Sequence, residues 1–236
     1  MKGKTASPGK RNPAKIFVLD ENPILREGLN NILGSHDGLS ICGSSSNPIT
    51  ARKDILDEEP DLVTLDISFR STSGLETIKH LRAHNPKLKI LVFSELEEKL
   101  YAERVIRAGA NGYVMKTEPA ETVLKAVDGV LEGDIYLSDE LKNIFAKRFV
   151  AGETLSRNSV GDRLSQREFQ VYSLLGRGRS PRDIAEELHL SVKTVQAYCT
   201  RIKEKLDLKN ARELLQSAIH WEMHGRKDLE EGSDQG

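Results

Sequence analysis

The chain has 236 residues, of which 38% are hydrophobic and 30% charged, and its formal net charge at pH 7 is −1. This length suits one or two domains, the composition is ordinary for a soluble globular protein, and the overall charge balance points to no polyanionic partner, although a local charged patch remains compatible with it. No run of about 18 apolar residues occurs, so we expect no membrane span and no membrane partner. The two cysteines, Cys42 and Cys199, form no CxxC pair, and the N-terminus lacks the apolar stretch of a secretory signal, which fits a reducing cytoplasm.

Short apolar runs alternate with amphipathic stretches over the first half of the chain. The runs have strand length and are bounded by turn or polar residues, and they cover 16–19, 39–42, 62–65, 90–93 and 113–115. The amphipathic stretches predict helices near 23–33, 48–58, 74–83, 97–108 and 119–131. Because strand alternating with helix implies parallel strands covered on both faces, the sequence predicts a doubly wound α/β domain with a five-stranded parallel sheet.

The pattern changes after residue 132. A break from Gly133 to Ser138 is followed by a helical pattern at 139–149 and by a Gly- and Ser-containing stretch at 151–163 that is typical of a flexible linker. Only helical patterns follow. We therefore predict a disordered tail at 1–14, the α/β domain at 15–133, an interdomain helix and linker at 134–163, a small all-α four-helix domain at 164–222 and a second disordered tail at 223–236.

Polar side chains follow four of the five predicted strands. Asp20 and Glu21 come after the first run, Asp66 ends the third, Ser94 the fourth and Lys116 the fifth. Because the carboxyl ends of parallel strands meet at one edge of a sheet, these residues are expected to cluster there. Three carboxylates repel one another, and a divalent cation such as Mg²⁺ relieves that repulsion. One carboxylate could then attack a phosphoryl donor while the metal and the ammonium offset the charge.

Each of these residues taken alone has an ordinary structural explanation. An aspartate after a strand is usually a turn residue or a helix cap, a lysine is usually solvated, and Glu21 could simply favour the start of the next helix. Tyr113 alone fits packing. The combination of fitting residue types at several strand ends is what favours a functional cluster.

The segments KIFVLDENPILREGL, DLVTLDISF, ILVFSE and GYVMK resemble, in order over residues 15–132, the receiver domains of two-component response regulators. The resemblance implies a flavodoxin-like receiver that a sensor histidine kinase phosphorylates. It implies a Mg²⁺ cofactor held by Glu21, Asp66 and the Ser68 carbonyl, with Asp20 acting through water. The implied site residues are the phospho-acceptor Asp66, the acidic pair Asp20 and Glu21, and the phosphoryl-contact and switch residues Ser94, Lys116 and Tyr113.

Three departures from the family pattern concern the loop beside Asp66 and its surroundings. Phe69 and Arg70 stand where a Met-Pro pair is usual, although Gly74 falls where the family has a glycine. Glu95 occupies a position where a small residue is common, and Glu21 replaces the commoner second Asp. A carboxylate at Glu95 could hinder phosphodonors. These departures leave open an alternative, in which the protein regulates without phosphorylation and its receiver is a dimerisation module.

Three serines predict helix starts in the second half. Ser165 and Glu168 have capping-box spacing, Ser180 precedes Pro181 at a first helical position, and Ser191 can cap the third helix. A fourth helix is predicted after residue 210.

The third of these helices has two distinct faces. At about 100° per residue, Val195, Cys199, Ile202 and Leu206 fall on one stripe that must pack inward. The outward side and its flanks carry Lys193, Gln196, Ala197, Thr200, Arg201 and Lys203. Cations can pair with phosphates, and Gln and Thr can read base edges in the major groove. On this pattern alone, an ordinary solvated helix face is the simpler alternative.

The motifs LSQREFQVYSLL, GRSPRDIAEELHLSVKTVQAY and IKEKL resemble the DNA-binding domain of LuxR/NarL-type regulators over residues 164–220, and YLSDEL at 136–141 resembles the interdomain helix of that subfamily. The resemblance implies a cytoplasmic transcriptional response regulator with a helix-turn-helix domain that binds double-stranded DNA. It implies a homodimer when active and allows RNA polymerase as a further partner. The implied DNA contacts are Gln196, Ala197 and Thr200 to bases, and Lys193, Thr194, Arg201 and Lys205 to the backbone.

An enzyme of the aspartyl-phosphate phosphatase kind would use a similar set of carboxylates. The sequence offers neither an additional cap domain nor a second general acid for such turnover. We therefore expect a regulator that is not an enzyme.

Overall fold

The computed structural model describes residues 12–69, 72–150 and 160–230. Most of the predicted tail at 1–14 lies outside these residues. So do residues 151–159 of the predicted linker and residues 231–236 of the predicted second tail. By its contacts the chain divides into two compact units, Met1–Glu98 with Val105–Tyr136 and Lys99–Arg104 with Leu137–Gly236. Within the described ranges no helix is long and apolar enough to cross a membrane.

The first unit is built on a five-stranded sheet with the order β2-β1-β3-β4-β5, in which every neighbouring pair is parallel. The strands are β1 (Ala14–Leu19), β2 (Leu39–Ser45), β3 (Leu62–Leu65), β4 (Lys89–Ser94) and β5 (Gly112–Met115). The helices that alternate with these strands are α1 (Pro23–Gly34), α2 (Pro48–Glu58), α3 (Gly74–His84), α4 (Glu98–Ala108) and α5 (Ala120–Glu132). Residues Lys99–Arg104 of α4 group with the second unit. The predicted fold class is thus confirmed.

The inner strands are mostly apolar because helices cover both faces of a parallel sheet. All four residues of β3 are buried, and Ile16 and Val18 of β1 are fully excluded from solvent. One core cluster joins these strands to α1 and α5, with Leu33 and Val127 fully buried in it. Burial of each such side chain contributes roughly 1.5–3 kcal/mol, so this packing fixes where the strand ends lie.

The same tripeptide, Asn-Pro-Ile, starts α1 and α2. The Asn22 side chain accepts hydrogen bonds from the N–H groups of Ile24 and Leu25, and the Asn47 side chain accepts one from Ile49. Each proline occupies the first turn, where no N–H is needed. The chain therefore turns sharply at the carboxyl ends of β1 and β2, and this keeps both loops beside the predicted site.

The second unit is helical. After α6 (Asp139–Val150) and one short turn, α7 (Val160–Arg163), it contains α8 (Gln166–Gly176), α9 (Pro181–Glu187), α10 (Val192–Leu206) and α11 (Ala211–Glu230). Phe169 and Tyr172 of α8 pack against Trp221 of α11, with ring centroids 5.0 and 6.0 Å from the indole. The Tyr172 hydroxyl lies 2.8 Å from Ser217 Oγ, which satisfies a buried polar group.

All three predicted helix starts form caps. Ser165 and Ser180 form capping boxes with Glu168 and Asp183, and the Ser191 side chain accepts a hydrogen bond from the Thr194 N–H. Because each cap satisfies N–H groups that have no partner inside the helix, these three positions define where α8, α9 and α10 begin.

The structure differs from the predicted boundaries at two places. The predicted tail from residue 223 is helical to Glu230, because the sequence there lacks proline and consists largely of good helix formers. The predicted linker at 151–163 ends in a helical turn over Val160–Arg163, where Arg163 pairs with Asp207 at 2.8 Å.

Gly74, at the start of α3, is predicted to be required by packing. A Cβ there would lie 2.4 Å from Ile67 Cα and 2.8 Å from the Ile67 carbonyl oxygen, and backbone atoms cannot move aside. Gly74→Ala should lower the free energy of unfolding by about 2–3 kcal/mol, measured from the urea midpoint by circular dichroism.

Gly28→Ala is the matched control. No atom lies within 4 Å of a Cβ at this position inside α1. Alanine there should leave stability unchanged or raise it by up to about 1 kcal/mol through helix propensity. Equal destabilisation by both substitutions would contradict the packing explanation.

Candidate functional site

Residues that follow all five strands line one open cleft at the carboxyl edge of the sheet. The cleft has a volume of about 760 Å³ and contains Asp20, Glu21, Asp66, Ser68 and Lys116. The structure therefore brings together the acidic pair, the predicted acceptor and the predicted lysine. Asp66 is largely buried, yet it forms part of a wall that opens to solvent.

Lys116 joins two of the carboxylates. Its Nζ lies 2.8 Å from Asp20 Oδ2 and 2.8 Å from Asp66 Oδ2, and the three side chains are only 3–8% exposed. Burial alone would lower the pKa of Lys116, but the charges of Asp66 and Asp20 outweigh it and raise the pKa above the ordinary value. The lysine is therefore a permanent cation at the base of the cleft.

Asp20 is held by its own loop. Its Oδ1 accepts a hydrogen bond from the Asn22 N–H at 2.8 Å, and its carbonyl oxygen accepts one from Arg26 Nη1 at 2.8 Å. Burial raises the pKa of Asp20 despite the opposing effect of Lys116. Ionised Asp20 is thus an energetic cost to the fold, and this cost falls when a further cation approaches.

Both carboxylate oxygens of Asp66 have partners. Oδ1 accepts a hydrogen bond from the Ser68 N–H at 2.9 Å, and Oδ2 accepts one from Lys116 at 2.8 Å. These bonds hold the carboxylate in one orientation at the cleft wall. A carboxylate fixed in this way is arranged as a nucleophile toward an electrophile that enters from solvent.

Ser94 and Tyr113 lie behind the cleft. Ser94 is fully buried at the end of β4, with Oγ 3.4 Å from Ser68 Oγ. Tyr113 is 1% exposed, and its hydroxyl donates to the Leu96 carbonyl oxygen at 2.7 Å, in the loop that follows β4. Ser94 therefore adjoins the acceptor loop, whereas Tyr113 reaches the site through the β4–α4 loop.

Six cleft residues were not among the predicted site residues. Asn22, Pro23 and Ile24 lie at the start of α1. Ser46 and Asn47 come from the loop after β2, and Glu95 follows Ser94. The repeated Asn-Pro-Ile tripeptide is the sequence signal that could have placed the β2 loop beside the β1 loop. Glu95 adds a fourth carboxylate to the lining, which strengthens the negative potential that an anionic donor would meet.

The cleft suits a hard divalent cation. Among the described residues no three His, Cys, Asp or Glu side chains form a closed metal cage. Mg²⁺ does not need one, because it takes one or two carboxylates and fills its shell with water and phosphate oxygens. Glu21, Asp66 and a backbone oxygen of the Ser68 loop are the residues that could hold it, with Asp20 behind them.

The predicted recognition helix, α10, presents the two faces expected from its sequence. Val195 and Ile202 are fully buried, and Cys199 and Leu206 are half-buried beside them. The predicted DNA-contacting residues on the other side are exposed, except for the half-buried Thr194; they are Lys193, Thr194, Gln196, Ala197, Thr200, Arg201 and Lys205. Apart from Thr194, these side chains are therefore accessible to solvent.

Lys205 differs from the other cations of α10 because it already has a buried anionic partner. Its Nζ lies 2.6 Å from Glu168 Oε2, and the glutamate side chain is only 4% exposed. Lys205 and the Ser165 backbone lower the pKa of Glu168 although burial opposes this. If Lys205 contacts a DNA phosphate, its ammonium must therefore interact with both the phosphate and Glu168. Lys193 is not subject to this competition with Glu168.

Family models match both units. The response regulator receiver domain matches residues 16–128, and the LuxR family of bacterial regulatory proteins matches residues 162–218. The oxygen regulatory protein NreC of Staphylococcus carnosus is 32% identical over 209 residues, which cover 87% of this chain and 96% of that protein. NreC of Staphylococcus aureus is 30% identical with the same coverage of this chain.

Solved structures of response regulators are also similar to this chain. A LuxR-family two-component response regulator from Aurantimonas sp. SI85-9A1 has a TM-score of 0.55 and 25% identity, and covers 59% of this chain and 99% of its own. RcsB of Salmonella enterica serovar Typhimurium, bound to promoter rprA with the phosphomimetic BeF3-, has a TM-score of 0.54 at 21% identity and covers 87% of this chain and 98% of its own. At that identity the second likeness shows the fold alone.

Asp20→Asn should raise the free energy of unfolding at pH 7 by about 1 kcal/mol in the presence of a chelator. Because folding raises the pKa of Asp20, the contribution of this residue to stability is fully present below the ordinary pKa of an aspartate. That contribution is lost as pH rises through the folded-state pKa. Asparagine removes that loss, so the gain should shrink as pH falls toward the ordinary range of aspartate. Urea unfolding at several pH values measures this.

Asp57→Asn serves as the control, since that carboxylate is exposed on α2. It should change stability little at any pH. A loss of stability in Asp20→Asn at pH 7 would mean that the ion pair with Lys116 outweighs burial.

Proposed function

This chain belongs to the two-component response regulators that join a receiver domain to a LuxR-type DNA-binding domain, and we propose that phosphorylation of Asp66 controls its binding to DNA. The observation that carries this proposal is the Asp66 carboxylate fixed by Ser68 and Lys116 at the wall of an acidic cleft. The protein acts as a DNA-binding transcription regulator, and its role is regulation and not turnover of a substrate.

The donor in this proposal is the phosphohistidine of a sensor histidine kinase. An oxygen of Asp66 attacks the phosphorus, the phosphorus–nitrogen bond breaks, and its electron pair returns to the imidazole ring. Lys116 stays beside the aspartyl phosphate and neutralises part of its charge. Bound Mg²⁺, held by Glu21, Asp66 and the Ser68 carbonyl, would supply further charge compensation for the transferred group.

The switch follows from the loop after β4. A phosphoryl group on Asp66 offers acceptors to Ser94 and Lys116, which draws the start of that loop toward the cleft. Tyr113 is hydrogen-bonded to Leu96 in the same loop, so movement there changes the packing of the tyrosine ring. The surface of α4 and α5 then repacks, and this favours homodimers whose two recognition helices read paired half-sites. RNA polymerase is a further partner of the DNA-bound dimer.

DNA recognition is assigned to the exposed face of α10. Gln196, Ala197 and Thr200 face bases, and Lys193 and Arg201 contact phosphates. The guanidinium of Arg201 lies 5.7 Å from the Tyr198 ring centroid, which restricts where it can reach. Thr194, which hydrogen-bonds Ser191 at the helix start, and Lys205, which shares its charge with Glu168, complete the proposed backbone contacts.

One observation favours the alternative of a receiver that only dimerises. Glu95 shares the cleft wall with Asp66, and its charge opposes the approach of an anionic donor. In that case DNA binding and dimer content would be independent of any change at Asp66.

Phosphotransfer separates the two proposals. The full chain, treated with a small-molecule phosphodonor and Mg²⁺, should gain the mass of one phosphoryl group and shift toward dimers. Asp66→Asn should gain none, because the amide is not a nucleophile here. Intact-protein mass spectrometry and light scattering on the same sample measure both effects.

Two controls sharpen this test. Omission of Mg²⁺ should slow the reaction of the wild type, and Glu95→Ala should speed it by removing a repulsive charge. Phosphoryl incorporation that is equal in wild type and Asp66→Asn would refute the acceptor assignment. Dimer content that ignores phosphorylation would favour the dimerisation-only alternative.

Substitutions on α10 should divide into two kinds of effect. Thr200→Ala or Gln196→Ala should change sequence preference by about 1–3 kcal/mol for each base contact that is lost. Lys193→Ala should weaken binding to all sequences and flatten its salt dependence, because fewer counterions are released. Binding curves on operator and random DNA at several salt concentrations measure this.

Arg179→Ala is the control for the loss of one positive charge, because it removes an exposed cation outside α10. It should leave sequence preference unchanged. A uniform loss of affinity on all DNA after Thr200→Ala would count against direct base reading by this helix face.

A further inference from the structure

Two histidine rings lie together at the C-terminal end of α3. His80 and His84 are separated by about one helical turn, and their ring centroids are 4.1 Å apart. His80 is half-buried and His84 is exposed. Because α3 leads into the start of β4, the pair lies at the edge of the sheet opposite the acidic cleft, and none of its atoms takes part in the proposed phosphotransfer.

The hydrogen bond of His84 fixes which ring nitrogen carries the proton. Its Nδ1 lies 2.9 Å from the His80 carbonyl oxygen. A carbonyl oxygen can only accept, so Nδ1 is the donor, and in the neutral ring Nε2 keeps its lone pair. Histidines that bind metal ions are typically oriented in this way, with one nitrogen on a backbone carbonyl and the other on the metal.

The surroundings favour a neutral His80. Burial, the charge of Arg52 on α2 and the neighbouring His84 lower the pKa of His80 below its ordinary value. Glu76, one turn earlier on α3, is paired with Lys79 at 2.9 Å and so contributes little net charge. No proton needs to be displaced from a neutral ring before it can act as a ligand.

A cavity of about 160 Å³ between α2 and α3 adjoins His84. It is lined by His84 together with Glu59 and Asn85, and by apolar side chains of both helices. The polar part of this cavity has room for water molecules beside the imidazole, which a metal ion bound by two protein ligands requires.

We infer that His80 and His84 form a two-histidine binding site for a divalent transition-metal ion such as Ni²⁺, Zn²⁺ or Cu²⁺, with water completing the coordination shell. Imidazole suits these ions, whereas Mg²⁺ prefers the oxygen ligands of the acidic cleft. In helical zinc sites, two histidines at i and i+4 on one helix face commonly bind the metal ion. The nearby cation of Arg52 opposes the ion and limits its affinity.

The test is a calorimetric titration of the full chain, without an affinity tag, with NiCl₂ and separately with ZnCl₂. Excess MgCl₂ occupies the acidic cleft. His80→Gln and His84→Gln should each weaken binding by at least about tenfold, since either change leaves a single ligand. Arg52→Gln should tighten binding because it removes the repulsive charge. Circular dichroism without metal checks that the variants are folded.

The sequence repeats the same spacing at His220 and His224, whose side chain lies outside the described residues, so His220→Gln is measured as well. His189→Gln is the matched control, because it removes an exposed imidazole that has no second histidine four residues away. It should leave the titration unchanged. Loss of binding in His220→Gln with retention in His80→Gln would overturn the inference. So would wild-type affinity in either α3 variant, or an Arg52→Gln variant that binds more weakly.

Discussion

The ammonium of Lys116 holds the site together. It follows β5 and reaches Asp66 after β3 and Asp20 after β1, so one cation connects the ends of three strands. In the sheet order, β4 lies between β5 and β3, and the lysine side chain must pass over its end. The small side chain of Ser94 stands at that end and leaves the space open. Loss of the ammonium would leave two buried carboxylates without a counterion, which is far more costly than loss of a surface pair.

The charge balance of the cleft explains why Lys116 alone does not neutralise the site for the transfer of a phosphoryl group. Four carboxylates line the cleft, and Lys116 is the one cation among its described lining residues, so an incoming phosphoryl group meets net repulsion. Burial, and to a smaller extent the charge of Asp66, raises the pKa of Asp20. A hard divalent ion would offset the excess negative charge, and the fold keeps solvent-facing oxygen atoms available for that purpose.

Sequence periodicity predicted the sheet and its helices to within a few residues, because buried strands such as Leu62–Leu65 and caps such as Asn22 leave strong local signals. It also predicted that the acidic pair, Asp66 and Lys116 share the cleft, since strand ends of a parallel sheet must meet. It did not predict the contribution of the loop after β2. The sequence did not predict the partner of Lys205. Glu168 lies 37 residues earlier in the chain, and its pairing with Lys205 depends on how α8 and α10 pack. Nor did it predict that Tyr113 bonds Leu96, since rotamers are set by tertiary contacts.

The ion pair between Arg163 and Asp207 ties the entrance of the second unit to the far end of α10. Arg163 closes α7, the first helical turn after residues 151–159, and Asp207 caps the recognition helix in a left-handed conformation. Because the two side chains are 45% and 83% exposed, this pair contributes at most about 1 kcal/mol and is screened by salt. High salt should therefore weaken this contact between α7 and α10 and leave the aromatic packing around Trp221 intact.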